Sequence, residues 1–190
     1  MKCQTVIAGV GGQGVLFAAK ILTEIARSRN LPVLGSQTFG MAQRGGSVMT
    51  HLKMGPFDSP LVCEGEADLL LGLDGTEAHR TLPFLRAIRD GKAAKAALCV
   101  VNASAAQAFP DARVAPLLAD MGIIVHSCNA DAVALDMKLP LVANLVLLGF
   151  GASREEFPFD YEEVVAATEA LSAPKHRSVN LEALERGRML

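Results

Sequence analysis

The sequence predicts a three-layer α/β fold, a mostly parallel Rossmann-like sheet with helices on both faces. Three observations lead there. Short apolar runs ending in glycines or polar turns alternate along the chain with stretches of helical periodicity, the pattern of strands joined by crossover helices. The first such unit passes directly from strand to glycine turn to helix. Hydrophobic residues make up 51% of the 190 residues and charged residues 20%, enough apolar material for strands buried on both faces.

Thr5 to Val10 reads as a buried parallel strand, and from Val15 to Arg29 the apolar stripe Leu16, Ala19, Leu22, Ile25-Ala26 reads as a helix. Asn30 and Pro32 stop it. Leu31 to Gly35 is a second short strand, followed by a polar, glycine-rich segment from Ser36 to Gly46. Ser47 to Met54 alternates as a half-exposed strand does, and Gly55 to Pro60 is a loop. Asp68 to Leu73 is a buried strand leading into a helix from Gly75 to Arg89. The alternation continues with strand Ala97 to Asn102, helix Val114 to Met121, strand Ile123 to Ser127 and helix Ala130 to Met137. Leu139 to Leu148 and Tyr161 to Leu171 read as further helices. Residues 1–171 are expected to form one Rossmann-like domain, with 172–190 as its C-terminal arm or docked helix.

Composition narrows the function. A net charge of −2 gives no general reason to bind nucleic acid or an anionic membrane, and with no Trp and one Tyr a base-stacking platform is not expected. The four cysteines, Cys3, Cys63, Cys99 and Cys128, lie far apart, without CxxC or metal-ligand spacing to a histidine. They read as buried apolar residues of a reducing compartment, and no iron–sulfur cluster is expected on this chain alone. The longest uncharged apolar stretch, Leu139 to Ala152, is too short to span a bilayer, and the opening residues do not read as a leader. A soluble cytoplasmic protein is expected.

Gly9-Val10-Gly11-Gly12-Gln13-Gly14 fits GxGxxG between a strand and a helix. There, glycines permit a tight turn and let backbone N–H groups approach a phosphate. A dinucleotide site also needs an acid at the end of the second strand, where this chain has Leu34-Gly35-Ser36-Gln37. The NAD signature is therefore incomplete, Arg44 leaves NADP open, and tight packing of helix on strand explains the glycines equally well. The second loop, Ser36 through Gln43-Arg44-Gly45-Gly46 to Val48, sets a guanidinium beside exposed backbone donors. By chemistry alone it is either an anion-binding loop or a polar subunit contact.

Together these loops carry a resemblance. GxGGQG followed by GxxQRGGxVxxH resembles the gamma subunit or domain of the pyruvate/2-ketoisovalerate:ferredoxin oxidoreductase family, which includes the indolepyruvate oxidoreductase beta subunit. The likeness continues through Gly65-Glu66-Ala67-Asp68, Leu73-Asp74, Glu77-Ala78-His79-Arg80, Asn144 with Leu148-Gly149, and Asn180 with Gly187. It spans residues 3 to 187. It implies an accessory, gamma-type subunit assisting thiamine-dependent oxidative decarboxylation of a 2-oxoacid, such as indolepyruvate or pyruvate, to an acyl-CoA. Thiamine diphosphate, Mg²⁺ and iron–sulfur clusters would be held by larger partner subunits, with ferredoxin engaged indirectly and coenzyme A used in the complex. Nothing would be tightly bound by this chain, which would be inactive alone. Carried over residue by residue, Gly9, Gly11, Gly12, Gln13, Gly14, Gln43, Arg44, Gly45, Gly46 and Asn144 are the candidate cofactor-contacting positions. No residue is assigned a catalytic or metal-binding role, and Gly72-Leu73-Asp74-Gly75 only echoes a thiamine-type Mg²⁺ motif.

Other residues are read more plainly. His51, His79, His126 and His176 are scattered and lack an adjacent nucleophile motif; His51 is read first as a packed strand histidine. Glu64, Glu66 and Asp68 would share one side of a strand, though a solvated turn or interface is the better reading. Asn144, an amide in an apolar helix, is expected to cap a neighbouring loop rather than touch a ligand. Lys175-His176-Arg177 reads as an exposed basic loop. Two alternatives stand beside the resemblance: a free-standing NAD(P)-binding oxidoreductase, and a non-catalytic dimerisation module, with a homodimer as the form of the isolated chain.

Overall fold

The computed structural model describes residues 1–40, 45–88, 96–103 and 107–190. Six strands, β1 (Cys3–Val10), β2 (Val33–Phe39), β3 (Ser47–Met54), β4 (Leu69–Gly72), β5 (Leu98–Asn102) and β6 (Ile124–Cys128), form one sheet in the order β2-β3-β1-β4-β5-β6. β1, β4, β5 and β6 pair in parallel, while β3 is antiparallel to both β1 and β2. The sheet is mostly parallel as expected, with an antiparallel hairpin on one side. The link from Gly40 to Gly46 is too short for a crossover helix, so β2 and β3 can only fold back on each other. β2 also runs on to Phe39, into the segment expected to be loop.

Seven helices, α1 (Val15–Ser28), α2 (Gly75–Thr81), α3 (Val114–Asp120), α4 (Ala130–Asp136), α5 (Ala143–Ala152), α6 (Tyr161–Leu171) and α7 (Pro174–Arg188), are seen among the described residues. They cover the sheet on both faces. Ile7, Leu69, Leu71, Leu98 and Val100 pack against residues of α1, α4, α5, α6 and α7. Their neighbours Val6, Ala8, Leu70, Cys99 and Val101 pack on the other side with Ala78 of α2 and Leu118 of α3. This period-two division is what pleated strands buried on both faces require.

Sequence signals set the helix ends. α1 buries Val15, Ala18, Ala19, Ile21, Leu22, Ile25 and Ala26 along one stripe, and stops where Asn30 turns left-handed (φ 56°). α2 is shorter than expected because Pro83 falls in the next turn: proline lacks the N–H and crowds the preceding carbonyl, so Leu82–Phe84 tightens into a 3₁₀ turn. Pro140 likewise makes Pro140–Val142 a 3₁₀ turn ahead of α5. α6 has the bounds expected for it, opened by a capping box of Asp160 and Glu163.

The C-terminal segment is helical through Lys175-His176-Arg177, which corrects the loop reading; Pro174 at the first helical position starts α7. Asn180 Nδ2 donates to Ser172 Oγ at 2.8 Å, tying the helix to the end of α6. α7 crosses α5 closely at two glycines. A Cβ on Gly149 would overlap the Leu184 carbonyl, and one on Gly187 would overlap the Val146 carbonyl.

Candidate functional site

Antiparallel pairing of β3 on β1 decides where the two glycine loops meet. Val10, the last residue of β1, lies opposite Ser47, the first of β3, so the loop after one strand and the loop before the other share an edge. Gly11 N–H donates to the Gly46 carbonyl at 2.8 Å, joining them directly. Of the ten candidate positions, Gly9, Gly11, Gly12, Gln13, Gly14, Gly45, Gly46 and Asn144 come together here. Gln43 and Arg44 lie outside the described residues.

The first loop is held by its own residues. Gly12 and Gly14 have φ of 104° and 82°, and Gly45 in the second loop has 74°, left-handed values that disfavour a Cβ. Gln13 Oε1 accepts the Val10 N–H at 2.7 Å, closing the turn. Gly9 sits under it: an added Cβ would be 2.9 Å from Gln13 Oε1 and 3.0 Å from Leu73 Cβ. Asn144, 2% exposed on α5, donates from Nδ2 to the Gly14 carbonyl at 3.3 Å, while its Oδ1 accepts the Leu145 N–H at 2.9 Å. The capping role expected for it is the one observed. Beside the loop lies a cleft of about 340 Å³ lined by Val10, Gly11, Gly12, Gly14, Leu16, Phe39 and Val48. Phe39 is 57% exposed and gives that cleft part of its apolar lining.

On the opposite face, the Ser47 hydroxyl donates to Glu77 Oε2 at 2.6 Å, and Arg80 Nη1 donates to Glu77 Oε1 at 2.7 Å. Glu77 is 6% exposed. Glu77 stands in the sequence only as part of the Glu77-Ala78-His79-Arg80 motif, with no signal of this contact. Asp74 caps α2, accepting from the N–H groups of Thr76 and Glu77, both at 2.9 Å. The acid of the Gly72–Gly75 run is thus committed to a helix end.

Several tempting residues resolve into structure. His51, 4% exposed, accepts the Val62 N–H on Nδ1 at 3.3 Å and meets the Phe84 ring edge-on at 5.2 Å. Burial, then the Lys53 charge, lowers its pKa below 6.5. His126 contacts Glu156 at 3.1 Å, and His79 packs near Phe109. Glu64 and Glu66 flank a turn at Gly65 and are exposed, not strand residues; Asp68 accepts the Gln4 N–H and pairs with Arg86 at 2.6 Å. Among the described residues no group of three or more His, Cys, Asp or Glu is placed to hold a metal. The thiols are not all buried as expected. Cys63 is exposed because it lies in the irregular stretch before Gly65. Cys3 and Cys99 belong to opposite sides of the sheet.

The strand order departs from the dinucleotide pattern, as does the missing acid. A βαβ nucleotide unit sets its second strand in parallel beside the first, whereas here β3 intervenes between β1 and β2. No helix among the described residues is long and apolar enough to cross a membrane.

Known proteins resemble this chain in sequence or in fold. Indolepyruvate oxidoreductase subunit IorB of Methanothermobacter thermautotrophicus is 30% identical over 197 residues, covering 98% of this chain and 96% of that protein. The gamma subunit of a keto/oxoacid ferredoxin oxidoreductase from Geobacter sulfurreducens has the same fold, with a TM-score of 0.70 at 20% identity over 97% of this chain and 95% of its own. A 2-oxoglutarate:ferredoxin oxidoreductase of Magnetococcus marinus, solved with coenzyme A bound, contains the fold within 30% of a longer chain, at a TM-score of 0.68 and 18% identity. The pyruvate ferredoxin/flavodoxin oxidoreductase family matches residues 4–190, and this chain belongs to it.

Proposed function

We propose that this chain is the small accessory subunit of a cytoplasmic 2-oxoacid:ferredoxin oxidoreductase, assisting oxidative decarboxylation of an aryl-2-oxoacid such as indolepyruvate to its acyl-CoA. The family match and the curated relatives, which are indolepyruvate oxidoreductase subunits, support the class and substrate. The observation that carries the proposed role is the Gly11–Gly46 hydrogen bond. It joins the two glycine loops into one edge of the sheet beside the cleft lined by Gly11, Gly12 and Gly14, a glycine-lined surface where the backbone can approach a phosphate of coenzyme A. Gly11 to Gly14, Gly45 and Gly46 would form that surface, with Gln43 and Arg44 as its polar side chains.

The residues fit other cofactors poorly. A cluster needs several converging thiolates, and here Cys3 and Cys99 lie on opposite sides of the sheet while Cys63 is exposed. Asp74, the acid of the motif that echoes a thiamine-type Mg²⁺ site, is occupied as a helix cap. Both points support a division of labour in which larger subunits carry thiamine diphosphate, Mg²⁺ and iron–sulfur clusters and deliver electrons to ferredoxin. This chain would supply binding surface and not redox chemistry.

The test is reconstitution with the larger chains. The isolated chain is expected to be free of iron and to turn over no oxoacid. The complex is expected to reduce an electron acceptor in a reaction dependent on indolepyruvate and coenzyme A. Full activity of the larger chains without this one would remove the proposal. Within the complex, Arg44→Ala is expected to raise the KM for coenzyme A or weaken assembly; if neither moves, Arg44 has no part in the site.

A further inference from the structure

We infer that Glu77 is a positioning residue for the second glycine turn, its buried carboxylate gripping Ser47 and thereby holding Gly45–Gly46 against the first loop. This rests on the reading that the glycine edge serves coenzyme A, and it names a residue outside that edge on which the edge depends.

Gly45 has no side chain, a left-handed φ of 74° and open space where a Cβ would be, so it supplies no packing of its own. The turn's geometry must be set by its neighbours. The contacts of its descending arm converge on Gly46–Ser47. The Gly46 carbonyl accepts Gly11 N–H at 2.8 Å, the Ser47 carbonyl accepts Gly40 N–H at 2.7 Å, and the Ser47 hydroxyl donates to Glu77 at 2.6 Å. The last of these is the one that reaches outside the two loops and the hairpin.

Glu77 is a rigid anchor. Asp74 fixes the start of α2 through two backbone hydrogen bonds, and Leu73 N–H donates to the Ala8 carbonyl of β1 at 2.7 Å. The carboxylate is itself buried, a placement that is unfavourable unless the charge is paired and both oxygens are satisfied. Arg80 answers the charge with its side chain 67% exposed, so the pair is closed from the solvent side. An apolar residue there would avoid the desolvation penalty but hold nothing on β3.

The test is steady-state kinetics of the reconstituted complex with coenzyme A as the varied substrate. Ser47 is exposed, so Ser47→Ala should still fold, with a modest loss of stability from the Glu77 oxygen it leaves unpaired. It is expected to raise the KM for coenzyme A about tenfold with kcat within about twofold, the scale of one hydrogen bond to a charged acceptor. Ser47→Thr, which keeps the hydroxyl, is expected to return the KM to within about twofold of the native value. Glu77→Ala should reproduce the KM effect, and the double variant should be no worse than Glu77→Ala alone, since both remove one contact. If Glu77→Ala lowers only the melting temperature while both single variants keep the native KM, Glu77 is structural and the inference is wrong. A native complex indifferent to coenzyme A would instead overturn the reading beneath it.

Discussion

An amide buried in an apolar helix has to find partners, and Asn144 uses both polar ends locally, on the Gly14 carbonyl and on the Leu145 N–H. The fit with Gly14 is mutual. A Cβ at Gly14 would overlap the Asn144 amide, and Gly14 holds a φ of 82° that costs an L-residue about 1–2 kcal/mol by itself. Asn144→Ala removes one of three donors to the Gly14 carbonyl, which still accepts the Phe17 and Ala18 N–H groups, and takes the Oδ1 acceptor from the Leu145 N–H, a loss of about 1 kcal/mol. Gly14→Ala should cost more, because backbone strain and overlap act together. In the double variant, removal of the Asn144 amide makes room for the new methyl, so the combined loss should be less than the sum. Urea denaturation of the three variants measures this, and strict additivity would show that the two residues do not constrain each other. Asn144 was legible in the sequence because an amide stands out among Leu and Val. Glu77 was not: it lies in a stretch of Thr, Glu, Ala, His and Arg that resembles any exposed helix, and its partner Ser47 is 30 residues away.

Element bounds were legible where periodicity was strong, as with α6 and the start of α1; β3 has the bounds expected, but Thr50 to Met54 are buried on both faces where a half-exposed strand was expected. What escaped was what depends on pairing. Whether β2 and β3 run as a hairpin is decided by the length of their link and by which strand claims β1, neither of which periodicity reports. At the C-terminus a docked helix was among the expectations, but the polar run Lys175-His176-Arg177 read as loop, and the approach of α7 to α5 through Leu184 and Gly187 could not be read. Gly149 and Gly187 are what let those two helices approach. Replacing a helical glycine by alanine would normally help by about 1 kcal/mol. Here the added methyl meets a backbone carbonyl of the facing helix, which cannot swing away as a side chain can. Overpacking of this sort typically costs about 1–3 kcal/mol, so the sign reverses. Gly187→Ala is expected to lower the urea midpoint and to speed amide exchange along α7. Stabilisation by this substitution would mean that the helices are farther apart than described.

At the scale of the molecule, the division of the core into two faces also governs how the protein responds to pH. Cys99 lies wholly within one face, where burial pushes its thiol from 9.0 up to about 12. Cys128, against the other face, is raised to about 12, mainly by burial. Tyr161, where α6 meets α7, rises from 10.0 to about 12 through burial and then through its hydrogen bond to Glu185. In each case the folded state resists losing a proton that the unfolded chain gives up readily. Their contribution to stability is therefore complete below pH 9.0, where the unfolded thiols are still protonated, and is lost progressively as the pH climbs toward about 12. The unfolding free energy should be level with respect to these groups near neutrality and fall above about pH 9. Cys99→Ala should make that fall shallower, because one of the groups that ionises only on unfolding is gone. The same burial keeps Cys99 in its unreactive thiol form, so alkylation of the native protein at pH 8 should mark exposed Cys63 well before Cys99. Equilibrium unfolding between pH 7 and 11, with peptide mapping of the alkylated protein, reads both effects. An unchanged alkaline slope in Cys99→Ala, or equal labelling of Cys63 and Cys99, would mean that the strand carrying Cys99 is open to water, against the helix-covered sheet on which the glycine edge is built.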